Sequence, residues 1–226
     1  MTSKKPTPLL HLAIATVICA AFAYAAFMGI EHYQKKQWSQ AFSTETEKIL
    51  TVLNGKFEIN LHNLIGIRSL FNASTEVTPS EFQVFTKPIL SEYKFIQALE
   101  WIPRVPDSDR EIYENRIRNA GLPRFQFTEK LHQGDMTRAR SRSEYFPVYY
   151  VEPMEGNEAA FGFDLSSNPS RLKSMRESRD SGEPIVTEKI TLVQEKSSQY
   201  GALIFLPVFD GITVPETITE RRSKLK

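Results

Sequence analysis

The stretch Glu144–Arg171, EYFPVYYVEPMEGNEAAFGFDLSSNPSR, decides the fold class. Tyr145–Val151 is an aromatic and β-branched run that suits a strand, Met154–Asn157 supplies turn residues, and Phe161–Asp164 forms a second, shorter strand. Asn168 and Pro169 then offer an N-cap and a first-turn proline for a helix running to about Asp180, with Gly182 closing it. Strand, turn, strand and helix follow one another within one short segment. Without a repeating strand and crossover-helix unit, this arrangement predicts an α+β fold and not a doubly wound parallel sheet.

Working outward, the same grammar continues on both sides. Upstream, Thr78-Pro79-Ser80-Glu81 starts a helix through Leu90, and Ile96–Pro103 alternates enough for a strand. Ser108 and Glu111 form a capping box for a further helix that ends at Gly121, with Ile112, Tyr113 and Ile117 on its buried side. Arg124–Thr128 places Phe125 and Phe127 on one strand face, and the basic, polar run Arg138–Arg142 reads as a loop. Downstream, Ile185–Glu195 and Tyr200–Phe209 are strands joined by a Ser197-Ser198-Gln199 turn. Gly211–Lys226 reads as a polar tail.

The N-terminal part obeys a different rule. Leu9–Ile30 is 22 residues without Asp, Glu, Lys or Arg, and at about 1.5 Å per residue it crosses a hydrocarbon core of roughly 30 Å. An uncleaved anchor is the first reading, with residues 1–8 cytoplasmic and the remainder outside; a signal peptide cleaved after Ala23-Tyr24-Ala25 is the second. From residue 31 to 74 apolar side chains recur at Ile49, Leu53, Phe57, Leu61, Leu64 and Phe71, which keeps one stripe on a long stalk helix. The stripe is either core or the seam of a homodimer.

Composition excludes several function classes. The formal net charge is +1 and Lys4 and Lys5 account for +2, so the part beyond Ile30 carries −1 and has no basic footprint for nucleic acid. Cys19 is the single cysteine and lies within the apolar segment, and His11, His32, His62 and His132 are widely spread, so neither a disulfide nor a metal site is expected. Ser170-Arg171-Leu172-Lys173 has the S-x-x-K spacing of some acyl enzymes, but the companion motifs are missing. Phosphate-binding glycine loops are missing too. No cofactor and no catalytic chemistry are expected. A binding cavity needs apolar and aromatic walls with a few placed polar groups.

The blocks themselves carry a resemblance. Trp101-Ile102-Pro103-Arg104-Val105, Glu144–Arg171, Gly182-Glu183-Pro184, Thr191-Leu192-Val193-Gln194-Glu195 and Gly201–Val208 stand in the order found in CHASE domains. The chain resembles that family, the extracytoplasmic ligand-sensing module of receptor histidine kinases and cyclic-nucleotide enzymes, and the EYFPVYYVEP and TLVQE runs look like its bacterial branch. The resemblance implies a long N-terminal helix, then two PAS-like subdomains over residues 75–210 and beyond, the second of them incomplete here. Relatives continue past a charged cluster like that in residues 211–226 into a second span and an effector. The distal subdomain is expected to hold a small ligand, adenine-like or another planar molecule. Asp164 falls where plant-type cytokinin receptors place the aspartate that holds the purine, and Val186 and Thr187 fall on cavity-lining positions; Phe163, Phe205 and Tyr149 are candidate walls. From the residues alone, Asp164 equally suits a cap on the turn into the Asn168 helix or a partner for Arg171. The implied function is transmembrane sensing from the inner membrane. The rival is an anchored module that holds a ligand without signalling output.

Overall fold

A computed structural model describes residues 8–130, 135–191, 200–211 and 213–226. His132, the run from Leu192 to Glu195 and the Ser197-Ser198-Gln199 turn lie outside them. The chain divides into two units, one ending at Glu58 and one covering Ile59–Lys226. Helix α1 (Pro8–Ala73) is a single helix of 66 residues, and it contains an apolar segment long enough to cross a membrane.

In the second unit the last turns of α1 are core. Ile67 and Phe71 are buried with Val77, Phe82, Leu99 and Val208, and the Trp101 ring stacks on Phe71 with centroids 3.9 Å apart. Ile49 and Leu53, further up the same stripe, are exposed. Helix α2 (Pro79–Glu92) starts where predicted: Thr78 and Glu81 form a complete capping box, and Pro79 occupies the first turn, where its missing N–H costs nothing.

The resemblance implies PAS-like subdomains built on antiparallel sheet. The described residues form four two-stranded antiparallel ladders. Strand β1 (Leu99–Trp101) pairs with β6 (Tyr150–Glu152), β2 (Val105–Pro106) with β5 (Glu144–Tyr145), β3 (Thr128–Lys130) with β4 (Met136–Arg138), and β7 (Ile185–Val186) with β8 (Ile204–Phe205). Isolated bridges, Thr128 with Phe163 and Pro147 with Asp164, tie the expected Phe161–Asp164 strand to its neighbours without making it a strand.

Two expectations for helix α3 (Arg110–Asn119) need correction. Ser108 and Glu111 do not form a capping box; Ser108 lies in a 3₁₀ turn (Asp107–Asp109) and its hydroxyl donates to Asp109 at 2.9 Å. The helix buries Arg110, Glu114 and Ile117 and leaves Ile112 exposed. The cause lies in residues 124–127, which are irregular where a strand was expected, so their backbone groups need side-chain partners. Glu114 accepts the Phe127 N–H at 2.8 Å, and Arg110 donates to Ala139 O at 2.9 Å and to Glu114 at 2.9 Å. Phe125 and Phe127 still reach one core, with Val105, Ile117, Tyr145 and Tyr149.

Helix α4 (Pro169–Ser181) has the predicted ends: the Asn168 side-chain Oδ1 accepts the Arg171 N–H, and Gly182 adopts φ 79°. A Cβ on Gly182 would lie 2.6 Å from Val214, so the position excludes a side chain on two grounds. The expected polar tail folds into helix α5 (Ile218–Lys224), held by a second capping box, Thr217 with Glu220. Arg221 donates to the Asp180 carbonyl at 2.7 Å and Arg222 pairs with the Asp180 carboxylate at 2.6 Å, so α5 is fastened to the end of α4.

Candidate functional site

Asp164 is fully buried and its carboxylate is occupied by the protein. It caps the 3₁₀ turn Leu165–Ser167, accepting the Ser166 N–H at 3.1 Å and the Ser166 hydroxyl at 2.8 Å, and it accepts the Phe146 N–H at 2.8 Å. Its ionic partner is Arg142, not Arg171. Arg142 also pairs with buried Glu129, which takes Arg140 as well. Burial opposes ionisation of Glu129, but the bonds from Arg140 and Arg142 outweigh it and hold the carboxyl below its usual range. Residues 139–142 are loop as expected, and the arginines of the Arg138–Arg142 run pair with three buried acids, Glu114, Glu129 and Asp164. In this arrangement a ligand N–H reaches Asp164 only by displacing a protein donor.

The other candidate residues are distributed over the domain. Phe163 and Phe205 meet in one cluster with Val148, Val151 and Leu165, and the Arg171 guanidinium lies 5.1 Å from the Phe163 ring centre. Tyr149 belongs to the Phe125 and Phe127 core, and its hydroxyl donates to Tyr113 O at 3.2 Å. Thr187 is buried with its hydroxyl accepting the Leu203 N–H at 3.0 Å, which extends the β7–β8 ladder. Val186 is exposed.

Of these six, Phe205 alone lines the principal cavity, a space of about 120 Å³. Its walls come from α1 (Leu64, Ile67, Arg68), β1 and the residue after it (Glu100, Trp101, Ile102), α4 (Leu172, Met175) and the segment Ile204–Val208. Thirteen of the lining residues are apolar, while Arg68, Arg176, Arg179 and Lys226 bring cations and Glu100 the only acid. The volume is below the roughly 300–1,000 Å³ of drug-sized clefts and suits a small ligand.

Glu100 is the residue that sequence reasoning missed. Alternation along β1 sends Leu99 and Trp101 to the Phe71 side, while Ala98 and Ile102 pack on the Phe163 cluster. An acid between Ala98 and Ile102 on an otherwise apolar strand face is the signal that could have found it. Burial pushes the Glu100 carboxyl up to about 7, and the charge of Arg171 pulls it down only in part. Arg171 makes no ion pair with it; its Nη2 donates to Thr191 O at 3.1 Å and its buried Nε has no partner among the described residues.

The CHASE domain family matches residues 75–226. A relative, the hybrid signal transduction histidine kinase A of Dictyostelium discoideum, is 21% identical over 217 residues, 92% of this chain and 10% of that protein. The chain therefore spans about a tenth of the relative's length.

Proposed function

Because the chain belongs to the CHASE domain family, whose members are extracellular sensor domains and not catalytic ones, we propose that it is the sensing part of a membrane-anchored receptor. Residues 9–30 cross the inner membrane, residues 1–8 lie inside, and the PAS-like domain outside binds a small, planar or adenine-like molecule. The observation that carries this reading is the composition of the cavity wall: Leu64, Ile67 and Arg68 belong to the same helix as the apolar segment. A ligand in the cavity touches that helix directly. It shifts the receptor's state only by binding one arrangement of the helix, or of a homodimeric helix pair, more tightly than another. A kinase or cyclic-di-GMP effector downstream is the output that the family and the histidine kinase relative suggest.

The residues that the resemblance offers, Asp164, Val186, Thr187, Phe163, Phe205 and Tyr149, define a second place for the ligand, centred on Asp164. One experiment separates the two. The whole chain in lipid nanodiscs is screened by thermal shift against small metabolites, adenine derivatives included; a ligand at 100 times its Kd stabilises by about 2.7 kcal/mol. The shift is expected to vanish in Leu172→Trp, which fills the cavity, and to survive in Asp164→Asn. Asp164→Asn is also expected to cost about 3 kcal/mol of stability through the Arg142 network. A shift that survives Leu172→Trp and disappears in a folded Asp164→Asn places the ligand at Asp164. No shift from any metabolite removes the receptor reading.

A further inference from the structure

We infer that the cavity takes a small apolar molecule bearing a single amine, held as its cation by the Glu100 carboxylate. This rests on the reading of the cavity as the ligand site. The Glu100 carboxylate has no hydrogen bond and no ion pair among the described residues, although it lies between Ala98 and Ile102 on a wall that also holds Ile67, Trp101 and Phe205. A carboxylate in such surroundings is costly unless it gains donors. An ammonium group supplies up to three, in the charge-assisted form that is the stronger kind.

The cations around the cavity do not do this job. Arg179 pairs with Asp180 at 2.6 Å, and Lys226 donates to Phe71 O at 3.2 Å and lies 3.8 Å from Asp210. Arg171, on the same helix as Arg176, spends Nη2 on Thr191 O. Arg68 from α1 is half-buried, Arg176 from α4 is exposed, and neither forms an ion pair with a described residue. Arg176 keeps contact with water and Arg68, like Glu100, is half-buried; Glu100 is the one acid among the lining residues, and its surroundings push its carboxyl up to about 7. A carboxylate ligand would set a second anion against Glu100, and a neutral one would leave the acid without a counter-charge. The positive charges of Arg68 and Arg176 disfavour a polyamine, so the fit is to one amine on an apolar body.

The proton balance follows. Below the Glu100 pKa, binding of the ammonium form converts the carboxylic acid to carboxylate and releases one proton to solvent; above it, no proton moves. Amine affinity therefore rises as pH increases through about 7 and falls again beyond the amine's own pKa.

The test is calorimetry on the whole chain in phosphatidylcholine nanodiscs with three isosteric probes: benzylamine, benzyl alcohol and benzoate. Benzylamine is expected to bind about tenfold or more tightly than benzyl alcohol near pH 8, and titrations in buffers of different ionisation enthalpy should show close to one proton released near pH 6 and almost none near pH 8.5. Glu100→Gln should abolish both the amine preference and the proton release while still binding benzyl alcohol. Equal affinity for amine and alcohol, or a preference for benzoate, overturns the amine assignment and leaves the cavity as the ligand site. Binding of none of the three probes overturns the assignment as well, and if the metabolite screen is also silent, the receptor reading falls with it.

Discussion

Asp164 is fully buried and Glu100 half-buried in the cavity wall, and folding treats the two acids oppositely. Asp164 is met by Phe146, Ser166 and Arg142, whereas the Glu100 carboxylate has no hydrogen bond or ion pair among the described residues and feels only the charge of Arg171. The native state consequently holds the Glu100 proton more tightly than the unfolded chain, where the carboxyl titrates near 4.5; in the fold it titrates near 7. A raised carboxyl pKa contributes stability that is fully present below about 4.5 and is lost as pH rises through about 7. Glu100→Gln should therefore match the wild type near pH 5 and exceed it by roughly 2 kcal/mol near pH 8, a gap that chemical denaturation at the two pH values would measure. A gap that does not change with pH would falsify the view that the carboxyl is desolvated. Neither environment was fully legible beforehand. The placement of Asp164 before a turn was, because capping is local. Its Arg142 partner lies 22 residues away, in a basic run whose composition reads as loop and names no partner.

At the level of elements, legibility followed sequence locality. Helix α2 began, and helix α4 began and ended, at the predicted caps, since Thr78 with Glu81, and Asn168 with Gly182, act within one turn of the helix they delimit. Strand pairing was not legible in the same way: β1 finds β6 in the register Leu99 to Glu152, and no local pattern encodes that partner. Helix α5 was missed because its charged face, read alone, looks like solvated tail, and its reason for folding is a bond to another helix. Hydrogen bonds from Arg222 and then Arg179 hold the Asp180 carboxyl well below its usual range. A depressed acid contributes stability above its unfolded pKa of 3.8 and loses it as pH falls. Arg222 is more than half exposed, so solvent screens most of the clamp. Asp180→Asn is expected to speed amide exchange in Ile218–Lys224 by about fivefold, leaving α2 and the buried strands unchanged. Uniform acceleration across the domain would mean instead that α5 is part of the global core.

For the molecule as a whole, α1 carries two kinds of apolar residue in one periodic stripe. Ile67 and Phe71 are consumed by the domain core, but Ile49 and Leu53 are 53% and 56% exposed, and Trp38 and Phe42 before them are more exposed still. The sequence left core and seam as alternatives for this stripe; the last turns are core, and the earlier ones lack a cover among the described residues. Apolar side chains repeated at such spacing on a helix beyond its continuous apolar segment are favoured in water when another surface buries them. A second copy of α1 offers the same stripe in register, and a sensor that signals through a helix pair needs such a contact. Ile49→Lys with Leu53→Lys puts two charges into that seam while altering no residue of the three buried clusters, all of which lie beyond Glu58. In native mass spectrometry or light scattering of the nanodisc-embedded chain, the wild type is expected to be a dimer and the double variant a monomer, with the thermal midpoint of the sensor domain unchanged. A double variant that stays dimeric would move the contact away from Ile49 and Leu53. A variant whose domain melts early would mean that the added charges unwind α1 as far as its core turns at Ile67 and Phe71, and the loss of the dimer would then report on the helix and not on the seam.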